Sequence, residues 1–351
     1  MLSYIAEKRE EINRFMNLYI HERKMKDSAV NRWGSDVASR IEKFISGGKM
    51  IRGALVFFGN DLCGGSSDVN VLRCAAAAEF FQSYLLIHDD IMDRDMLRRG
   101  EPSVYNQYAS VINGNDDSES MHFGESMGIC AGDIAAFYAL SVLNMIDLDP
   151  EVKTDIISLF SEEMINVGLG QMQDIYFSHS RKEATTEEVL KLYMYKTSRY
   201  TFSLPLASGA LIAGSVENSK YLFDLGVFMG LIFQIRDDEL GTFGESCTIG
   251  KVAGSDIREG KMTVLMTELF KAVDGANRDF LADCLGNRDL LQKDVERIRG
   301  MMLDCEIDKA VKKIKNDYAV KCTDIIGKMK IENEYREKLA AFLEYNLSRQ
   351  K

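Results

Sequence analysis

Proline is nearly absent from this chain. Three occur in 351 residues, Pro102, Pro150 and Pro205, and none follows Pro205. A proline removes a backbone donor and its ring clashes with the preceding turn, so its scarcity leaves long helices uninterrupted. Eighteen methionines and abundant Ala, Leu, Lys and Glu favour helix over strand. Apolar residues recur at i, i+3 and i+4, and sustained alternation is scarce. The chain is therefore expected to be all-α. No compositional break and no repeat divides it, so a single domain over residues 1–351 is expected.

The helical rhythm predicts helices over 1–33, 36–46, 71–93, 129–146, 152–176, 187–213 and 220–240, with two or three outer helices after 288. Gly47–Gly48 reads as a helix stop. Residues 98–124, with Gly100, Pro102 and a polar run at 113–120, read as an exposed loop, either a lid or a permissive connection. Residues 241–256 nearly spell a phosphate loop, but five residues separate Gly244 from Gly250 and Val252 stands where Ser or Thr is needed, so that motif is rejected.

The net charge of −11 argues against a nucleic-acid partner. Seven cysteines, odd in number and without a CxxC pair, read as reduced thiols. No unbroken apolar run approaches the ~18 residues of a membrane span, and no signal-like segment opens the chain. A cytoplasmic chain without stable membrane insertion is expected.

The chemistry is concentrated in QSYLLIHDDIMDRDMLRRG at 82–100. Asp89 and Asp93, at i and i+4, share one helix face, with Asp90 a quarter-turn away. Crowded carboxylates suit a hard cation such as Mg²⁺, which takes one or two of them and completes its shell with water and phosphate. Arg98 and Arg99 follow where a phosphate would need them. A second cluster, Asp237–Asp238–Glu239, also ends an apolar helical run. Two such clusters would confront each other across a cavity if their helices pack together. Lys49 and Arg52 lie at i, i+3 on one face. Gln171, Asp174, Lys196, Thr197, Lys251 and Lys261 sit near helix ends. Gln82 and Gln234 place amides on apolar faces, which costs about 1–3 kcal/mol if they are buried unpaired. No Ser/His/Asp or Cys/His set is apparent, and His88 reads as structural.

Taken in order, GGKMIR at 47–52, DDIMD at 89–93, RRG at 98–100, GQMQD at 170–174, KT at 196–197 and FQIRDDELG at 233–241 resemble the trans-isoprenyl diphosphate synthases, the farnesyl and geranylgeranyl diphosphate synthase family. SDIREGK at 255–261 looks like its archaeal members. The resemblance implies roughly ten core helices around a deep cavity, and a homodimer. It implies that Asp89, Asp93 and Asp237 bind about three Mg²⁺ ions, with Mn²⁺ as an alternative. Asp90 and Asp238 complete the two acidic motifs. The metal holds the diphosphate of an allylic substrate (dimethylallyl, geranyl or farnesyl) with help from Arg98, Lys196, Gln234 and Lys251, and Gln171, Asp174, Thr197 and Lys261 are further substrate-binding positions. Lys49, Arg52, Gln82 and Arg99 match the pocket for isopentenyl diphosphate. The allylic diphosphate would ionise, the carbocation would couple to the alkene of isopentenyl diphosphate, and a proton would leave to the released diphosphate.

Product length in the family depends on the residues before the first acidic motif. Tyr84 lies ~7.5 Å back from Asp89 along a helix axis and would act as a floor. The next residue, Leu85, is not the aromatic that marks farnesyl makers. The resemblance therefore implies a C20 product, geranylgeranyl diphosphate, with farnesyl diphosphate as the alternative. A terpene cyclase shares the fold but carries a different second metal motif, and a non-catalytic partner subunit tends to lose its aspartates. Four positions depart from the family pattern: Met50 replaces a basic residue, Gly53 a proline, Gln82 the histidine of many members, and Gly241 the aspartate that ends the second acidic motif in many others.

Overall fold

The computed structural model describes residues 2–112, 117–180, 183–243 and 254–349. It is helical almost throughout; the described strands are two residues each. The chain gathers into two compact units, residues 1–157 with 208–215, and residues 158–207 with 216–351.

In the first unit, α1 (Leu2–Asp27), α2 (Arg32–Ser46), α3 (Ile51–Leu62), α5 (Val104–Ala109) and α6 (Asp117–Asn144) pack with α4 (Val69–Asp93). Helix α2 begins earlier than its periodicity indicates because Asn31 caps it, accepting from the Trp33 N–H at 2.9 Å. Asp68 caps α4 in the same way. Helix α4 is buried on every side between Cys74 and Phe81, and its Ala75–Ala78 run lets neighbours approach closely. Helix α6 meets α4 through Gly128 and Gly132, and meets α5 through Gly124, where a Cβ would lie 2.5 Å from the Tyr105 carbonyl oxygen. A Cβ at Gly128 would lie 2.8 Å from Ile91 Cδ1, and one at Gly132 would overlap the His88 ring.

The exposed loop expected over 98–124 is corrected. Leu97–Arg98 and Glu101–Pro102 pair as antiparallel strands β1 and β2. The two residues between them, Arg99 and Gly100, both have positive φ, 57° and 80°, as a tight type I′ hairpin requires. Helix α5 then buries Val104, Tyr105, Tyr108 and Ala109, and α6 begins at Asp117. Polar residues masked a turn and a buried helix too short for periodicity to reveal. Residues 113–116 lie outside the described residues.

In the second unit, the helix expected over 187–213 is not uniform. Thr185 and Glu188 form a reciprocal capping box at the start of α8 (Thr186–Tyr193). The chain then widens into a π-helix, Met194–Ser203, before α9 (Leu204–Ile212). Pro205 lies just past this segment and cannot donate to an i−4 carbonyl; a wider turn relieves the clash. Helix α10 (Val216–Phe243) packs on the π-helix through Gly226 and Gly230. A Cβ at Gly230 would lie 2.5 Å from Ser198 Cα. Helix α7 (Pro150–Ser180) comes as close through Gly170, where a Cβ would lie 3.0 Å from the Lys196 nitrogen. Beyond them lie α11 (Ser255–Glu259), α12 (Val264–Ala272), α13 (Gly275–Cys284) and the three helices of the tail, α14 (Gln292–Asp304), α15 (Ile307–Lys328) and α16 (Asn333–Ser348).

Candidate active site

In the first unit, α4 carries Asp89, Asp90 and Asp93 at its C-terminal end, and the three differ sharply. Asp90 is fully buried; Asp89 and Asp93 are half-buried. The Arg98 Nε donates to Asp90 Oδ1 at 2.6 Å, while its Nη2 lies 3.5 Å from Asp89 and 3.6 Å from Asp95. Burial raises the Asp90 carboxyl to about 6 against the pull of Arg98, with Asp89 and Asp95 adding to the rise. The β1–β2 hairpin thus delivers Arg98 onto the acidic motif.

Arg99 turns the other way. Its Nη1 donates to the Phe44 carbonyl at 3.0 Å, its guanidinium lies 5.5 Å from the Phe44 ring centre, and a Cβ at Gly47 would come within 3.3 Å of its side chain. This close approach is what the glycine pair before Lys49 permits. Lys49 is exposed and Arg52 half-buried at the start of α3. Burial and the neighbouring Arg98 and Arg52 lower the Arg99 pKa, opposed by Glu79 and Asp90. Such a crowded set of guanidiniums is suited to a polyanion. Met50 is 2% exposed with φ 53°, so its side chain supplies no phosphate contact. At the other departure, Gly53 keeps the N–H a proline would lack, and donates it to Glu79 at 2.8 Å. Burial raises the Glu79 pKa against the pull of Arg52.

Gln82, Tyr84 and Leu85 are half-buried on α4. The Tyr84 ring packs edge-on against His88, centres 4.9 Å apart. His88 Nε2 lies 3.0 Å from the Ile129 carbonyl of α6, a structural tether. The same unit holds an apolar cavity of about 440 Å³ along α1, α2 and α6, lined among others by Tyr19, Trp33 and Tyr138; none of the residues nominated by the sequence borders it.

In the second unit, α10 ends in Asp237–Asp238–Glu239, and again the roles divide. Asp238 is 5% exposed. Tyr193 donates to its Oδ2, and Gln234 Nε2 donates to its Oδ1 at 3.0 Å. Burial and Asp256 push its pKa well up, and those two donors oppose the rise. Glu239 is clamped by Arg236 at 2.8 Å and Lys315 at 2.5 Å. Asp237 is the most open of the three and is paired with Arg349. The π-helix presents Lys196, which pairs with Asp174 of α7, and half-buried Thr197. Arg199 grips the fully buried Glu163 of α7 at 2.6 and 3.0 Å. Gln171 is half-buried one turn before Asp174. Lys261 lies 2.7 Å from Glu259. Lys251 lies outside the described residues.

Four residues not singled out by the sequence shape these surroundings. Asp256, within SDIREGK, has Oδ2 3.0 Å from where a Cβ at Gly241 would sit, so a carboxylate stands beside the position where many family members carry an aspartate. Glu79, Tyr193 and Arg349 act through contacts distant in sequence, and local pattern carries no signal for them. Among the described residues no three His, Cys, Asp or Glu side chains close on one point.

An all-α chain with two such divided acidic motifs, each bordered by fixed cations, defines a diphosphate-handling helical enzyme. Residues 36–302 match the polyprenyl synthetase family, and the chain belongs to it as a prenyl transferase. It is 31% identical to the geranylgeranyl diphosphate synthase of Saccharolobus solfataricus over 88% of each chain. It is 28% identical to the geranylfarnesyl diphosphate synthase of Aeropyrum pernix, over 87% of this chain and 92% of that one. The geranylgeranyl pyrophosphate synthase of Corynebacterium glutamicum, solved with isoprenyl diphosphate and magnesium, superposes with a TM-score of 0.89 at 27% identity over 98% of both.

Proposed function

We propose that the chain, acting as one polyprenyl synthetase domain, joins isopentenyl diphosphate to an allylic diphosphate and makes geranylgeranyl diphosphate. The observation that carries this reading is the division of labour inside each acidic motif. Asp90 and Asp238 are buried under their donors, whereas Asp89, Asp93 and Asp237 keep access to solvent, Asp237 beside Arg349. That donor set is hard oxygen alone, and it is sparse enough to leave room for water and substrate phosphate on Mg²⁺. We assign about three ions to the site, with Mn²⁺ as a substitute.

When bound, the metal would neutralise the diphosphate oxygens and so make diphosphate a better leaving group. Arg98, Lys196 and Lys261 add positive charge for the allylic diphosphate, with Gln171, Thr197 and Gln234 as neutral partners, and Lys251 is assigned to the same role from its motif. Lys49, Arg52, Gln82 and Arg99 hold the diphosphate of isopentenyl diphosphate, keeping its alkene in place. The allylic C–O bond breaks, the new C–C bond forms, and the proton lost from the adduct goes to the released diphosphate. His88, tethered to Ile129, plays no part in that transfer. Tyr84 sets the floor of the chain-binding space and Leu85 leaves room for C20.

We further propose a cytoplasmic homodimer. Helix α7 exposes Ile165, Leu169, Met172 and Tyr176, a seam at i, i+4, i+7 and i+11, and α6 exposes Ile129, Phe137 and Leu140. Seams of this spacing suit helix-on-helix association. Helix α6 also has the length and hydropathy to cross a membrane, with 44% of that stretch buried, so membrane association is the competing outcome. Acidic net charge and unbridged cysteines among the described residues agree with the cytoplasm.

The test is to incubate purified protein with Mg²⁺, labelled isopentenyl diphosphate and each of the C5, C10 and C15 allylic diphosphates, then size the dephosphorylated products. A C20 alcohol is expected, shifting to longer chains in Tyr84→Ala. A C15 end product favours a farnesyl diphosphate synthase, and a hydrocarbon favours a cyclase.

A further inference from the structure

Tyr193 is the last residue of α8 and is 7% exposed. Its hydroxyl donates to Asp238 Oδ2 on α10 and accepts the Val264 N–H, at 3.2 Å, from the first residue of α12. With Gln234 on the other oxygen, both oxygens of Asp238 are engaged. Each of the three segments meeting at this hydroxyl carries a residue assigned to the diphosphate. Asp237 adjoins Asp238, Lys196 lies three residues beyond Tyr193, and Lys261 lies three residues before Val264. The π-helix begins immediately after Tyr193.

We infer that Tyr193 is a positioning residue, its hydroxyl tying α8, α10 and α12 at one point so that Asp237, Lys196 and Lys261 hold a fixed spacing for metal-bound diphosphate. It touches no reacting atom and acts through Asp238. A packing role alone would need only the ring; the position uses the hydroxyl twice, as donor and as acceptor. Supporting groups that orient metal ligands commonly change metal affinity or activity by about 10- to 100-fold when removed.

This inference rests on the prenyl-transfer reading, and the experiment separates the two. Tyr193→Phe keeps the ring and removes the hydroxyl. Three quantities are compared with the wild-type full chain: steady-state kinetics, Mn²⁺ binding in the presence of inorganic diphosphate by electron paramagnetic resonance, and the rise in melting temperature caused by Mg²⁺ with diphosphate. Expected for the variant are an Mn²⁺ affinity lowered about 10-fold, a smaller ligand-induced melting shift, and a lower kcat. Its KM for isopentenyl diphosphate should stay within about twofold, because Arg52 and Arg99 do not depend on Tyr193. The inference is overturned if metal affinity and the ligand-induced shift are unchanged, even if the ligand-free melting temperature falls. It is also overturned if KM for isopentenyl diphosphate rises as much as the metal requirement. Failure of the wild type to form any prenyl diphosphate would instead sink the functional reading, and the Mn²⁺ titration still decides the role of Tyr193.

Discussion

Asp89 and Asp90 are neighbours of the same type, yet the chain treats them as different chemical groups. Asp89 keeps partial access to solvent, whereas Asp90 is sealed under Arg98 and its carboxyl rises to about 6. In the unfolded chain its pKa would be about 3.9, so the folded state binds the proton more tightly. The stabilisation from this site is therefore fully present below about pH 4 and is lost as pH climbs through 6, at most about 3 kcal/mol. In metal-free buffer Asp90→Asn should gain stability relative to wild type between pH 4 and 7, read from paired melting curves; a difference that stays constant with pH would contradict the assignment. Sequence alone places Asp89 and Asp93 on one helix face with Asp90 a quarter-turn away, but has no means to tell open from buried, because the distinction depends on a guanidinium eight residues on, past the end of α4. The same holds for Asp237 and Asp238, whose partners Arg349 and Tyr193 are separated from them by 112 and 45 residues.

Helix α10 and the π-helix show what glycine spacing does between elements. Gly226 and Gly230 bring α10 against Ser203 and Ser198, and Gly170 brings α7 against Lys196. The π-helix is held from both sides while Asp174 and Glu163 pair with its Lys196 and Arg199. Gly230→Ala would force a methyl into the Ser198 backbone, at a cost of about 1–3 kcal/mol. Its melting temperature should fall and its kcat drop with the displacement of Lys196 and Thr197; a variant with native stability and turnover would show that the close approach is dispensable. The long helices α4, α7 and α10 were legible because apolar residues recur with helical period and prolines are missing. The π-helix was not, since ten residues of wider turn look helical in any local window. Helix α5 was hidden by its brevity. The tail read as outer helices, and only the fold shows Lys315 and Arg349 reaching back to α10.

At the scale of the whole molecule, the exposed seams on α6 and α7 bear on assembly. Phe137→Glu with Met172→Glu should convert a dimer to a monomer by light scattering after size exclusion, because charge in an apolar interface is costly to desolvate. An unchanged mass would move the contact elsewhere, and recovery of the wild type in a membrane fraction would point to a bilayer. The family, the all-α class and the order of motifs were legible from residues 47–52, 89–100, 170–174, 196–197 and 233–241. On the proposed chemistry, Asp89 and Asp237, remote in sequence, serve the same metal-assisted departure of diphosphate. The most direct measurement is Mg²⁺-dependent single-turnover elongation of farnesyl diphosphate by Asp89→Asn and by Asp237→Asn, with isopentenyl diphosphate binding measured alongside. Each substitution is expected to slow the chemical step by about 100-fold or more while leaving that binding intact; wild-type elongation rates in either variant would contradict the claim.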